Sequence, residues 1–202
     1  MTAVLFDVSA ILSEVLRSNA GEACNMITIP DRTEAAEYYF TYIDQVPRGD
    51  VCQVLEGQLA DTLALFRGIS GDRSLYRYAP GKWSIRDVVN HLTDTERLFV
   101  FRAFWFARGF DTPLPSFDQN VAAAAAGADH RSWESLVEEF RAVRAATVTF
   151  FRSLPPDVWA RRGVASGNPF TVRALAYVAA GHVIHHTNIL RARYLQPQQP
   201  AQ

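Results

Sequence analysis

Apolar residues recur every three or four positions along four long stretches of this chain, which is the spacing of one face of an α-helix. The first stretch shows the pattern plainly, with apolar side chains at Val51, Leu55, Leu59, Leu63 and Phe66. The same spacing predicts long helices over residues 50–68, 84–109, 132–154 and 171–195. Ser84 and Thr171 precede two of these helices and are residue types that favour the N-terminal cap. Alternation typical of strands is not found, so the sequence predicts an all-α four-helix bundle.

Short segments flank the predicted bundle. Residues 1–25 have their own helical stripe, which predicts an additional N-terminal helix in this extension. That stripe consists of Leu5, Val8, Leu12 and Val15. The bundle is expected to span residues 26–195 as one domain, since 202 residues with 49% apolar side chains suffice for a single core. Residues 196–202 form a C-terminal tail. The first residues lack the features of a signal peptide, and Met26 is an alternative natural start to Met1.

Composition excludes several classes of partner. The 20 Lys and Arg residues nearly balance the 21 Asp and Glu residues, and no basic run marks a surface for nucleic acid or membrane lipid. No apolar run approaches the roughly 18 residues of a membrane-spanning helix. The two cysteines form neither a CxxC pair nor a disulfide framework, which favours a reducing, cytoplasmic location. A small-molecule substrate is therefore the expected partner.

Three of the five histidines fall within the six residues Gly181 to His186, "GHVIHH". On a helix, His182 and His186 are about 40° apart and share the buried face, whereas His185 falls at its edge. His91 lies on the inward face of the second predicted helix. Three inward histidines can supply three nitrogen ligands to one metal ion and leave a position open for water or substrate.

Buried histidines without a metal are the alternative, and for a single histidine that alternative is the more common one. Burying several imidazoles without partners costs a few kcal/mol each, so three of them together favour the metal site. A di-iron site is excluded because no glutamate stands three residues before a histidine. HExxH, P-loop, GxGxxG and GxSxG motifs are also missing. The expected cofactor is one divalent transition metal, with Zn, Ni, Fe and Mn left open, and His130 is expected to be exposed.

Three segments of the chain follow a recognisable order: "YRYAPGKWSIRDVVNHLTDTERLFVFRAFWFARG", "PLPSFDQN" and "RRGVASGNPFTVRALAYVAAGHVIHHTNILRARYL". Together they resemble the DinB/YfiT-like family of four-helix-bundle metalloenzymes, and the resemblance extends from Ile27 to Leu195. It implies a metal held by one histidine of the second helix and two of the last helix. The matching positions are His91, His182 and His186.

The resemblance implies two enzymatic reactions, because family members of known activity include bacterial thiol-dependent enzymes and metal-dependent hydrolases. The chain is thus expected to be a hydrolase or a thiol transferase that activates water or a low-molecular-weight thiol at the metal. A protein that holds metal or a small ligand without turnover, in a stress response, stays open as the alternative.

Charged side chains near the histidines are candidates for supporting roles. Asp94 and Glu96 are candidate catalytic carboxylates that would orient a ligand or accept a proton, with surface or capping roles as the alternative. Arg102 and Arg193 map to inward faces, where they would bind an anionic substrate or cofactor, or pair with Glu96. The ion pair is the favoured role for both arginines.

Aromatic residues lie just before the second predicted helix and along it. Trp83 is expected to pack at the entrance of that helix, with stacking on a substrate as the less favoured role. Phe101, Phe104 and Trp105 leave an apolar surface opposite much of the core. That surface predicts a homodimer, or a docking site for the N-terminal helix.

Overall fold

The computed structural model describes residues 27–196. It contains four long helices and two short ones. The long helices are α2 Val51–Arg67, α3 Ile85–Ala107, α5 Trp133–Arg152 and α6 Val172–Ile189, and the short helices are α1 Phe40–Ile43 and α4 Gln119–Ala126. A π-helical turn, Leu190–Tyr194, continues α6. Helices α2 and α3 both pack against α5 and α6, so the predicted four-helix bundle is confirmed.

Polar caps set where the long helices begin. Ser84 Oγ accepts from the Asp87 N–H while the Asp87 carboxylate accepts from the Ser84 N–H, a capping box that starts α3. Thr171 Oγ1 accepts from the Ala174 N–H at the start of α6. Both caps were predicted from residue type. Helices α3 and α6 each begin within two residues of the predicted start.

Two features of the connections differ from the prediction. Strands β1, Arg162–Ala165, and β2, Asn168–Thr171, form an antiparallel hairpin, so the expectation of no strands was wrong. Each strand has only four residues and includes a glycine or a proline, which hides any alternation. The long connection between the second and third predicted helices contains a further helix, α4, whose sequence is rich in alanine. It forms because alanine has the highest helix propensity and Asp118 accepts from the N–H groups of Asn120 and Val121.

The predicted N-terminal helix lies outside the described residues, as does most of the C-terminal tail. Within residues 27–196, none of the helices has the length and apolar character needed to cross a membrane.

Two groups of buried apolar side chains fill the bundle. The first surrounds Phe151, Leu175 and Val178, and the second surrounds Phe66 and Phe140. Phe99, from the first group, contacts the His182 ring, while Trp83, which packs on the second group, contacts the His91 ring. The histidines therefore lie against both halves of the apolar core.

Candidate metal centre

Three imidazoles from two helices converge inside the bundle. His91 projects from α3, and His182 and His186 project from consecutive turns of α6. Each offers a ring nitrogen, and these three atoms lie within 4.8 Å of one another. The Nε2 atoms of His91 and His182 are 3.1 Å apart. His91 and His182 are almost completely buried and His186 is partly buried, so little of the cluster lies on the outer surface of the bundle.

A threonine on α3 determines which nitrogen of His182 faces the cluster. Thr95 Oγ1 donates to the backbone carbonyl of His91 at 2.6 Å, so its oxygen is left to accept from His182 Nδ1 at 3.3 Å. This arrangement assigns the imidazole proton to Nδ1. The lone pair of His182 Nε2 therefore points at His91. Hydrogen bonds of this kind orient metal-binding histidines in many proteins.

Gly181 explains how α1 reaches the cluster. A Cβ at this position would lie 2.1 Å from the Tyr42 carbonyl oxygen, so only glycine lets α1 pack directly on α6. The Tyr42 ring then contacts the rings of both His182 and His185, with centroid separations of 5.3 Å. His185 is directed to this tyrosine rather than into the group of three ligand nitrogens.

The electrostatics of the cluster favour neutral imidazoles. Burial lowers the pKa of His91 to about 4. Burial, followed by the proximity of His91 and His185, lowers the pKa of His186 to about 3. The pKa of His182 also falls well below its usual value, first through burial and then through the neighbouring histidines. Neutral imidazoles are the form that binds a metal ion.

The arrangement fits a divalent transition metal. Two nitrogen ligands of a tetrahedral ion, each about 2.0–2.1 Å from it, lie roughly 3.3 Å from each other. The separation of 3.1 Å between two Nε2 atoms agrees with this spacing. Without an ion, His91 Nε2–H would donate to the unprotonated His182 Nε2 across this same separation. His91, His182 and His186 are thus the residues that could hold the metal, as the sequence predicted.

Glu96 does not belong to the cluster. Its carboxylate forms an ion pair with Arg144 of α5, with Nε and Nη2 each 2.6 Å from a carboxylate oxygen. Arg144 Nη1 also donates to Gln58 of α2, which donates to the Ala180 carbonyl of α6 at 2.9 Å. One buried polar network therefore joins all four long helices. Arg144 could not be identified from the sequence, because its burial depends on a carboxylate from another helix.

Asp94 lies on the outer side of α3. Its carboxylate accepts from Asn90 Nδ2 at 2.7 Å and from Arg97 at 3.3 Å. Arg97 in turn pairs with Glu139 of α5. Within residues 27–196, no carboxylate joins the group of ligand nitrogens. The structure therefore places both predicted carboxylates in ion-pair networks.

The two predicted arginines lie in different environments. Arg102 is 2% exposed, and within residues 27–196 it pairs with no carboxylate. Six residues separate it from Glu96, which puts the two side chains about 120° apart around α3, so the predicted pairing was wrong. Arg193 is exposed and donates to the Tyr78 hydroxyl at 3.3 Å, so its predicted inward orientation was also wrong. It lies in the π-helical turn, where 100° per residue no longer applies.

A cavity of about 480 Å³ connects the histidines with Arg102. His91, His182 and Thr95 line one part of it, and Arg102 and Ser166 line another. Its walls also include the aromatic side chains of Tyr38, Tyr39, Tyr42, Phe99 and Phe117. Trp83 does not line this cavity; it packs on His91, and its carbonyl accepts from the Tyr194 hydroxyl.

Comparison with protein families identifies the family of this chain. The family model of the DinB superfamily matches residues 55–190, which include all three histidines. The chain belongs to the DinB superfamily. A search of curated proteins finds no match.

Among solved structures, this DinB chain is similar to YfiT from Bacillus subtilis. The two share 19% sequence identity with a TM-score of 0.61, over 80% of this chain and 91% of YfiT. YfiT is described as "a probable metal-dependent hydrolase with an unusual four-helix bundle topology". At this level of identity, the similarity supports the bundle fold of the DinB chain.

Proposed function

We propose that this DinB protein is a metal-dependent enzyme that holds one divalent transition metal between His91, His182 and His186 and hydrolyses a small molecule. The observation that carries the proposal is the convergence of three ligand nitrogens within 4.8 Å at the wall of a cavity. The description of YfiT as "a probable metal-dependent hydrolase" supports the choice of reaction.

A ligand set of three histidines leaves a coordination position for a reactant, which distinguishes a catalytic site from a closed structural one. When bound, the metal supplies the Lewis acidity that makes a nucleophile available near neutral pH. The cavity gives a small molecule access to His91 and His182. This access favours an enzyme over a protein that only stores metal.

Residues around the histidines have defined roles in this proposal. Thr95 holds His182 in the tautomer that presents Nε2 to the cluster. Tyr42 and Phe99 pack on the His182 ring and fix its position at the wall of the cavity. Glu96 and Arg144 stabilise the helices that carry the ligands, since the network that contains them joins α2, α3, α5 and α6.

The experiment that tests the proposal compares hydrolysis of 4-nitrophenyl acetate by the chain loaded with Zn²⁺, Ni²⁺, Fe²⁺ or Mn²⁺. Hydrolysis should require metal and should be lost in His182→Ala, while His185→Ala retains it. Equal rates in the wild type and His182→Ala would contradict the proposal.

A thiol transferase remains the second prediction for the same site. It is tested with 1-chloro-2,4-dinitrobenzene and L-cysteine as the low-molecular-weight thiol. Metal-dependent conjugation without any ester hydrolysis would replace the hydrolase assignment by the thiol reaction.

The homodimer also remains a prediction. Phe101, Phe104 and Phe110 expose between 38% and 47% of their surface, and Trp105 stacks on Phe110 with a centroid separation of 4.1 Å. These four residues form an aromatic patch on the end of α3 and the residues after it. Sedimentation of the full chain at micromolar concentration tests the dimer, and a monomer there would contradict it.

A further inference from the structure

Arg102 is a buried cation at the far end of the histidine cavity. It follows His91 by 11 residues on α3, which is three helical turns, or about 16 Å of rise along the axis. Both side chains nevertheless line the same cavity. A small molecule in this cavity therefore has access to the histidines at one end and to a guanidinium at the other.

Among the described residues, the hydrogen-bond partners of Arg102 include no counterion for its charge. Nη2 donates to the Pro115 carbonyl at 3.2 Å and to Ser166 Oγ at 2.7 Å, and the Tyr39 phenol also faces the group. Nε is buried and has no hydrogen-bond acceptor within the described part of the chain. These partners are neutral oxygens, whereas arginine stays protonated at neutral pH.

Paired arginines elsewhere show what is missing at Arg102. Arg144, which is also buried, pairs with Glu96, and Arg173, whose side chain is 25% exposed, pairs with Glu34. Among the residues of 27–196 that line the cavity, Asp118 is the single carboxylate, and its Oδ1 already accepts from two backbone N–H groups at the start of α4. A buried charge without a partner is unfavourable, so an anion supplied from solution would be held here.

The hairpin turn positions Arg102. Ser166 has a φ of +53°, a left-handed conformation that residues other than glycine and asparagine seldom adopt. In this conformation its hydroxyl accepts from Arg102, and its carbonyl accepts from Asn168 Nδ2 at 2.8 Å. The turn therefore holds Ser166 in an unfavourable backbone conformation, in which its hydroxyl lies against the guanidinium of Arg102.

We propose that Arg102 binds an anionic group of the substrate, a carboxylate or a phosphate, and so selects small organic acids or phosphate esters. That the anion belongs to a substrate rests on the proposed function; the anion site itself does not require the metal. The aromatic walls contributed by Tyr39, Tyr42 and Phe99 suit an apolar or aromatic portion between the anion and the reacting bond. Arginine matches both anions because its planar fork donates two parallel hydrogen bonds.

The test measures binding of benzoate, phenyl phosphate and the uncharged benzamide by ligand-observed NMR and calorimetry. The full chain is used both as purified and after treatment with a chelator, so that a bound metal cannot account for anion binding. Benzoate or phenyl phosphate should bind the chelated wild type at least about tenfold more tightly than benzamide, as expected for a charged hydrogen-bonding partner. The anion that binds more tightly, benzoate or phenyl phosphate, identifies the substrate class.

Variants assign the preference to one side chain. Arg102→Met should lose the preference for the anions over benzamide, and Arg102→Lys should keep part of that preference. Arg97→Met is the matched control, since Arg97 lies on the same helix with an exposed guanidinium, and it should bind as the wild type does. Ser166→Gly keeps the turn conformation and removes the hydroxyl, so it should weaken anion binding without unfolding the chain.

Two outcomes overturn the proposal. One is equal affinity of the wild type for the anions and benzamide, including no binding of any of them. The other is unchanged anion binding in both Arg102→Met and Ser166→Gly. A chain that holds no metal but shows the anion preference would contradict the proposed function and leave the assignment of Arg102 intact.

Discussion

Glu96 and Arg144 form an ion pair whose side chains are 2% and 0% exposed. Removing one partner leaves the other as an uncompensated buried charge, which costs about 3–5 kcal/mol of the free energy of unfolding. Arg144→Met should therefore destabilise the chain by about that amount in urea denaturation.

Two controls accompany Arg144→Met. The exposed pair of Arg141 and Glu138 is worth no more than about 1 kcal/mol, so Arg141→Met should be nearly neutral. The double variant Glu96→Met and Arg144→Met should recover much of the loss, because neither charge is then left alone. A mild effect of Arg144→Met would show that the network does not hold the helices together.

Gly181→Ala should destabilise the chain, because the new Cβ collides with the Tyr42 backbone and forces α1 away from α6. Overpacking of this kind costs about 1–3 kcal/mol, and loss of the Tyr42 contact exposes His182 to water. Thermal unfolding measures the change.

Gly57→Ala is the control for the same substitution. Gly57 lies within α2, and a Cβ there meets nothing within 4 Å, so alanine should raise stability by about 0.5–1 kcal/mol. If both alanine variants were stabilised, α1 would not pack on α6 as described.

Thr95→Val should weaken metal binding by about 10- to 100-fold, since His182 Nδ1 loses the acceptor that fixes its tautomer. Thr93→Val is the control, because Thr93 Oγ1 donates to the Val89 carbonyl of its own helix. Competition with a chromophoric chelator measures both affinities. Equal metal affinities in Thr95→Val and Thr93→Val would contradict the role of Thr95 in orienting His182.

The stability of the metal-free chain should depend on pH through the buried histidines. In the unfolded chain these imidazoles take up protons below about pH 6.5. In the folded chain His91 and His186 stay neutral until about pH 4 and pH 3. The unfolded state thus binds more protons between these limits, and the free energy of unfolding falls as pH decreases from 6.5 towards 4.

Each such histidine contributes a slope of about 1.4 kcal/mol per pH unit in this range. His186→Gln should reduce the slope of urea stability between pH 6 and pH 5. His130→Gln should leave it unchanged, because His130 is exposed. An identical slope in all three chains would show that His186 is not buried in the neutral form.

The long helices and the three histidines could be predicted because both depend on spacing within single helices. Apolar residues at intervals of three and four define the buried face, and the same spacing places His182 and His186 on it. Grouping His91 with these two histidines also required that the inward faces of two helices meet in the bundle. Local capping residues fixed the starts of α3 and α6.

The features that were missed depend on contacts between distant segments. Arg144 belongs to a polar residue type, and only Glu96 and Gln58 from other helices make its burial favourable. The hairpin that presents Ser166 to Arg102 is too short to show a pattern. Arg193 turned outward because the π-helical turn changed the angular spacing on which the prediction relied.

Metal content is the most direct test of the three-histidine site. The wild type and the alanine variants of His91, His182, His185 and His186 would be purified without a His-tag or nickel resin and measured by elemental analysis. The account predicts about one divalent metal ion per chain in the wild type and in His185→Ala, and its loss in the other three variants, because two nitrogen ligands hold an ion weakly. A wild type without stoichiometric metal, or about one ion per chain retained in His182→Ala, would contradict it.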